Sequence, residues 1–374
     1  MAGIYIHIPF CKKACHYCNF HFSTSSEYKE RMIHAIAQEL MMRKDEMNEA
    51  IETIYFGGGT PSIVEPSHIE LLLKTIDQHY SIDASPEITL EANPDDISRQ
   101  HAADWKSMGI NRFSIGIQSF SEIHLEWMNR AHHAVQSLSC IDIIRSTGFE
   151  NFSIDLIYGT PGQTINDWEC DLKKAISLKI PHLSCYALTV EEQTPLFHLI
   201  KTGKKEKVDS DLQAEQFNLL VDIALAAGYN HYEISNFALP GMKSKHNSAY
   251  WNGASYLGVG PSAHSFQYNT RSWNISNNIS YMESIENHLR PFESETLTDI
   301  DQLNEYIMTK LRLEEGININ VIINKWGDDQ LSRITTLIER FIQDQKVERT
   351  QDGWRLTKHG KFFADGIATA LFQV

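Results

Sequence analysis

The sequence predicts an α/β protein: a partial (β/α)6 TIM-like barrel followed by a small C-terminal α+β domain of winged-helix-like pattern. Three features carry that expectation. Short β-branched or aromatic runs alternate with amphipathic segments of helical length, polar or glycine-rich motifs follow nearly every run, and the pattern changes after Pro291 to helices with one late hairpin.

Taken in order, the predicted strands are Ile4–Ile8, Thr53–Phe56, Glu87–Glu91, Arg112–Ile117, Phe152–Ile157 and His182–Leu188. Between them, Glu27–Met47, Ser67–Tyr80, Val135–Thr147 and Asn166–Leu178 space their apolar residues at about 3.6. Repeated βα units imply parallel strands with right-handed crossovers. Polar motifs at successive strand ends favour a barrel with its site at the C-terminal face over a doubly wound sheet. A helix Asp209–Ala227 and a strand His231–Ile234 complete an expected core of residues 1–235. Residues 236–290, rich in Gly, Ser and Asn, read as irregular. Residues 291–374 read as a separate domain with helices Asp299–Leu313, Asn318–Asn324 and Asp328–Gln345, a hairpin Lys346–Thr350 with Gly353–Leu356, and a terminal helix. Such a domain does not by itself establish function, and the acidic chain favours packing or partner docking over DNA binding.

With 374 residues and 42% hydrophobic composition, the chain can bury one large core and a smaller satellite. Its formal charge of −15 argues against nucleic acid or anionic lipid as a partner. No run approaches the roughly 18 to 20 apolar residues of a membrane span, and Ile4–Phe10 is too short for a signal peptide's core. The expected location is the cytoplasm, where thiols stay reduced. Of six cysteines, Cys140, Cys170 and Cys185 stand singly in regular-looking segments and read as buried structural thiols. The other three crowd into Cys11-Lys-Lys-Ala-Cys15-His-Tyr-Cys18, directly after the first strand.

Structural zinc wants four ligands, and His16 or His21 could supply the fourth. A fully protein-ligated iron–sulfur cluster also wants four; three cysteines leave one iron open to chelate a small molecule. Gly57-Gly58-Gly59-Thr60-Pro61 follows the second strand, where glycines permit unusual backbone angles and close ligand approach, and it lacks the ending of a phosphate loop. Glu91, Gln118 and Asp155 fall at the ends of later strands, so independent strands deliver polar groups to one barrel face.

The C-x3-C-x2-C spacing, with aromatic Tyr17 before the last cysteine, resembles the radical S-adenosylmethionine (SAM) family. The strand-end motifs are similar to the group that includes oxygen-independent coproporphyrinogen III oxidase, and more closely to a shorter branch of heme chaperones. The likeness covers nearly the whole chain. It implies a barrel of the radical-SAM type with a [4Fe–4S] cluster on Cys11, Cys15 and Cys18, and one-electron reduction of SAM to methionine and a 5′-deoxyadenosyl radical. By motif, Tyr5, Gly58, Glu91 and His264 would border cluster-bound SAM. Tyr17, Gly59, Thr60, Gln118, Arg130, Asp155 and Ala187 correspond to residues lining a second SAM in the oxidase.

Two features depart from the oxidase. Its motif continues to a further cysteine where Phe20 stands, and the sequence starts only ten residues before Cys11, which leaves out the oxidase's N-terminal extension. His246-Asn247-Ser248-Ala249-Tyr250-Trp251 is similar to the H-N-x-x-Y-W signature of the chaperone branch. The resemblance therefore implies heme, with His246 as iron ligand and Tyr250 and Trp251 as flat faces. It also implies a heme-acceptor protein, with respiratory proteins as candidates, an electron donor for the cluster, and membrane contact only through a partner. The alternatives are a coproporphyrinogen III dehydrogenase or other radical-SAM oxidoreductase acting on a tetrapyrrole, and a zinc-stabilised interaction protein. Whether SAM is turned over stays open, and coproporphyrinogen oxidation is not expected. His7 is expected to point into the barrel mouth and His132-His133 to sit at a solvated helix end.

Overall fold

A computed structural model describes residues 2–373. Six parallel strands form its centre: β1 (Ala2–Ile8), β2 (Ile51–Gly58), β3 (Ile82–Ala92), β4 (Arg112–Gln118), β5 (Phe152–Tyr158) and β6 (His182–Ala187). The crossovers carry α1 (Lys29–Met42), α2 (Pro66–His79), α3 (Arg99–Ser107), α4 (Glu122–Trp127), α5 (Ala134–Ser146) and α6 (Ile165–Ser177). After them come α7 (Pro195–Lys201) and α8 (Ser210–Ala226). The strands alternate. Ile4, Ile6 and Ile8, Ile54 and Phe56, and Phe113, Ile115 and Ile117 are buried in one core with the helices. The intervening positions, Tyr5 and His7, Tyr55 and Gly57, Ser114 and Gly116, meet one another across a polar interior. A parallel strand normally reads as a continuous apolar run because both faces are packed; here period-2 alternation marks a concave face kept polar.

Residues 236–290 are not irregular. A hairpin of β7 (Asn230–Glu233) and β8 (Asn236–Ala238) pairs antiparallel with β6 at one margin. Helix α9 (Lys245–Trp251) follows, then β9 (Ser255–Val259), which adds a seventh parallel strand on the free side of β1, with Ala2 opposite Ser255 and Ile6 opposite Val259. A meander of β10 (His264–Gln267), β11 (Thr270–Asn274) and, after α10 (Asn278–Glu286), β12 (Phe292–Thr296) extends that edge. The Gly, Ser and Asn that suggested irregularity are shared between the turns and strands of three to five residues, too short for their own periodicity to register. Since β12 pairs with β11, the chain after Pro291 returns to the main sheet before it leaves it. The sheet has twelve strands and does not close: β12 and β7 are its margins.

The added edge is fixed to α1 by a buried carboxylate. Glu39, fully buried, accepts from Arg43 Nη1 (3.0 Å), Asn274 Nδ2 (2.8 Å), Gly260 N (2.8 Å) and Tyr281 OH (2.6 Å). Arg43 in turn donates to Gly258 O (2.7 Å) and Ser265 Oγ (3.1 Å).

The C-terminal domain runs α11 (Asp299–Leu311), β13 (Ile317–Asn318), α12 (Ile319–Trp326), α13 (Asp328–Gln343), β14 (Val347–Arg349), β15 (Gly353–Leu356), α14 (Lys358–Lys361) and α15 (Ala364–Leu371). Its three-stranded sheet is ordered β13-β15-β14, a wing on three helices around Ile307, Ile334, Ile338 and Trp354. It docks on the β7–β8 turn: Ile234 N donates to Arg312 O (3.1 Å) and Glu314 N to Tyr232 O (3.1 Å). Cys140 and Cys185 are buried as expected of structural thiols, whereas Cys170 is exposed, on the solvent side of α6.

Glu39→Ala leaves Arg43 and three donors without their acceptor, and breaking a buried ion pair from one side costs about 3 to 5 kcal/mol. Urea unfolding should report a loss of that size.

Candidate cofactor site

The loop between β1 and α1 carries Cys11, Cys15 and Cys18, all free thiols of intermediate burial, on one wall of a cavity of about 600 Å³. That size suits a ligand of several tens of atoms. Backbone contacts pin the loop: Cys11 N to Ser23 O (3.0 Å), Ser23 N to Pro9 O (2.8 Å), His16 N to Met128 O (3.1 Å) and Leu196 N to His16 O (2.7 Å). Asn129, held at φ 61°, donates its amide to Ala14 O (2.7 Å), and Lys12 pairs with Asp95 (2.7 Å). Two sulfurs already accept hydrogen bonds, Cys11 Sγ from Thr60 Oγ1 (3.5 Å) and Cys15 Sγ from Arg130 Nη1 (3.3 Å). Burial raises the Cys18 thiol to about 11 and pushes Cys11 upward too.

The facing wall comes from the ends of β2 to β6. Gly59 N donates to Ile8 O (3.0 Å) and Thr60 N to Phe10 O (2.7 Å), so the glycine loop lies directly against the cysteine loop. A Cβ on Gly59 would fall 2.7 Å from Phe10 O, and one on Gly58, whose φ is 110°, 2.6 Å from His7 Nδ1. Only glycine fits both. Glu91 Oε1 accepts from Tyr55 OH (2.7 Å). Burial raises its carboxyl to about 7, and Asp155 nearby adds to the rise. Burial also raises Asp155 to about 6, against hydrogen bonds from Ser184 and Ser114 and the charges of Arg112 and Arg130. Gln118 ends β4 at φ 67°, a left-handed conformation unusual outside glycine, where backbone strain marks functional sites. Arg130 Nη2 donates to Asn93 Oδ1 (2.7 Å) and Gly116 O (2.8 Å).

Cys11, Cys15, Cys18, Tyr17, Gly58, Gly59, Thr60, Glu91, Gln118, Arg130, Asp155 and Ala187 all line this one cavity. Tyr5 and His264 do not. Tyr5 lies a layer below, its hydroxyl 3.3 Å from His7 Nδ1, and His264 is exposed on β10, stacked on Trp273 at 5.9 Å. Of the other histidines, His7 faces the barrel interior beside Gly58 as expected, and His132 departs from its expected place. His7 is buried and donates Nε2–H to His21 O (2.9 Å), so its Nδ1 accepts from Tyr5. His132 is buried against Ile117 O (3.1 Å) instead of solvated, while His133 caps α5.

The largest difference concerns His246, expected to reach heme iron. It is buried away from the cavity, with Nδ1 2.7 Å from Thr53 Oγ1 and Nε2 2.8 Å from Tyr250 OH, so both ring nitrogens are engaged and neither is offered to iron. Tyr250 packs on His246 and Tyr256, and Trp251 lies against the Arg312 guanidinium at 5.1 Å. Sequence reading also missed Tyr55, Asn93, Arg312, Lys361 and Phe362. Strand alternation in β2 signals Tyr55 as inward-facing; nothing local signals the last three, which reach the cavity from the C-terminal domain.

Among the described residues no three His, Cys, Asp or Glu side chains converge as on a single ion. The three cysteines line one cavity, where each can offer a thiolate to a different iron of a cluster. A half-buried guanidinium beside Cys15 offsets added negative charge, and its buried Nε atom lacks a partner. These residues fit a [4Fe–4S] cluster, and the adjoining wall of glycine backbone, Glu91 and Asp155 fits the amino acid and nucleoside ends of SAM.

Residues 5–175 match the radical SAM superfamily and residues 297–363 the HemN C-terminal domain. Fold and site together define a radical-SAM protein with a HemN-type C-terminal domain. The chain is 32% identical to the heme chaperone HemW of Lactococcus lactis over 97% of both chains, and 32% identical to that of Bacillus subtilis over 98% of both. The oxidase HemN of Escherichia coli shares its fold, with a TM-score of 0.87 at 21% identity over 100% of this chain and 90% of that one. The chain belongs to the HemW family.

Replacing any one of Cys11, Cys15 and Cys18 by Ser should remove the brown chromophore and most bound iron after anaerobic reconstitution, with the far-ultraviolet dichroism unchanged. Because the Glu91 carboxyl is raised from 4.5 to about 7, the folded state keeps a proton that the unfolded chain gives up first. Its contribution is therefore present below about 4.5 and lost as pH rises through about 7. Relative to Glu91→Gln, the parent protein should lose about 3 kcal/mol of unfolding free energy across that window; denaturant titrations of the apoprotein at each pH measure the difference.

Proposed function

We propose that this protein is a heme chaperone whose cavity takes heme against its aromatic lining and passes it to an acceptor protein. The observation that carries this reading is the composition of that lining. Phe20, Tyr186, Phe217 and Phe362 line it with the cations Arg312 and Lys361. Phe20 is 68% exposed at the position where the oxidase carries a further cysteine. Aromatic faces suit a flat porphyrin, and half-buried cations suit its propionates. Burial lowers the Lys361 ammonium to about 8, so a carboxylate brought beside it would relieve a desolvated charge.

The names of the HemW relatives support the same reading. When bound, the cluster would supply one-electron reducing chemistry to SAM. Within the chain, Cys11, Cys15 and Cys18 would hold the cluster. Gly58, Gly59 and Glu91 would orient SAM, while Arg130 keeps a positive charge beside Cys15. Heme bound against the C-terminal domain would lie where a small displacement of that domain opens the cavity to an acceptor. No helix among the described residues is long and apolar enough to cross a membrane. We place the protein in the cytoplasm, with an electron donor for the cluster, a respiratory acceptor, and membrane contact only through that acceptor.

In anaerobic titrations of reconstituted protein, heme should bind with a defined Soret band. The double variant Arg312→Glu, Lys361→Glu should bind about tenfold more weakly or worse. SAM-dependent consumption of coproporphyrinogen at a catalytic rate would overturn the chaperone reading in favour of the oxidase.

A further inference from the structure

Below the cavity the barrel interior is stacked in layers, and the H-N-x-x-Y-W segment supplies the lowest. Helix α9 enters beside β1 and β2 with its first turn fixed on a buried carboxylate: Glu87 accepts from His246 N (3.0 Å) and Lys245 N (3.1 Å). His246 and Tyr250, four apart, share one helix face. The His246 ring fills the space over Gly3, where a Cβ would fall 2.7 Å from Thr53 Oγ1 and 3.3 Å from His246 Cε1. It stacks on Tyr55, with centroids 4.9 Å apart and planes at 20°. Tyr55 stacks on Tyr5 at 6.1 Å and gives its hydroxyl to Glu91. Above them, a Cβ on Gly57 would lie 2.9 Å from both tyrosine rings and 3.1 Å from Glu91 Oε1. From Gly3 to Glu91 each layer rests on the one beneath.

We propose that His246 is a positioning residue for the SAM end of the cavity: its ring fixes Tyr55, and Tyr55 fixes the Glu91 carboxylate. The proposal rests on the reading that Glu91 borders SAM. Its physical basis is steric and directional. Two hydroxyls, from Thr53 and Tyr250, hold the imidazole at both nitrogens, so it cannot rotate about its ring axis, and a flat neighbour at stacking distance leaves the phenol one orientation. The same two bonds consume the lone pair that iron ligation needs, since a neutral imidazole has one donor and one acceptor nitrogen. Burial, aided by the Arg112 charge, lowers the imidazole to about 3, which keeps it neutral. The signature then couples the back of the barrel to its cofactor face, and its tyrosine serves the histidine and not a ligand.

The test uses the anaerobically reconstituted full chain, with SAM affinity measured by equilibrium dialysis and the electron paramagnetic resonance spectrum of the reduced cluster recorded with and without SAM. His246→Ala and the milder His246→Gln should each weaken SAM binding about tenfold and reduce the SAM-induced spectral change, with the Soret band of added heme unmoved. Tyr55→Phe should weaken SAM binding similarly, and in that background the His246 substitutions should have little further effect. Unchanged SAM affinity in a folded His246 variant, strictly additive losses with Tyr55→Phe, or a shifted Soret band with intact SAM affinity would each overturn the proposal. Full SAM affinity in Glu91→Gln would instead remove the Glu91 assignment on which it stands.

Discussion

Everything in this molecule depends on a parallel sheet that keeps one face polar. Isoleucines and phenylalanines on the convex face of β1, β2, β4 and β5 are buried against the helices and form the sheet's side of the main core. The concave face carries Tyr5, His7, Tyr55, Glu91, Ser114 and Asp155 and satisfies them on one another. A polar interior of this kind is costly unless its groups are paired. The pairing is therefore dense, and it makes the walls of the site stiff.

The cofactor face inherits that stiffness. The cysteine loop cannot drift because it is hydrogen-bonded to the glycine loop's neighbours, to the segment after α4 and to the start of α7. Burial raises both the Glu91 and Asp155 carboxyls, with the Asp155 charge adding to the rise at Glu91, so the wall carries less negative charge than its composition suggests. Arg130 adds a fixed positive charge near Cys15. An assembly of three thiolates and an anionic cluster needs that compensation.

The second half of the cavity is assembled from distance. Phe217 comes from α8, Arg312 from the residue that follows α11, and Lys361 and Phe362 from the C-terminal end of α14. The β7–β8 turn brings them together by pairing its backbone with the chain after α11. The C-terminal domain is thus part of the cavity wall as well as a separate small core.

The sequence alone determined the six central strands, most helices and the cysteine cluster, because their signals are local: alternation, 3.6 periodicity and C-x3-C-x2-C spacing. It also indicated which polar residues end the strands, and twelve of those expected around the cofactors line one cavity. Local pattern could not reveal that residues 236–290 extend the sheet, since strands of three to five residues between turn formers leave no period to read. Nor could it direct His246, whose neighbours Thr53, Tyr55 and Gly3 lie some two hundred residues away. A motif names the residue type and its spacing. Which face of the fold that residue meets is decided by long-range packing, which here turns the histidine inward toward tyrosine.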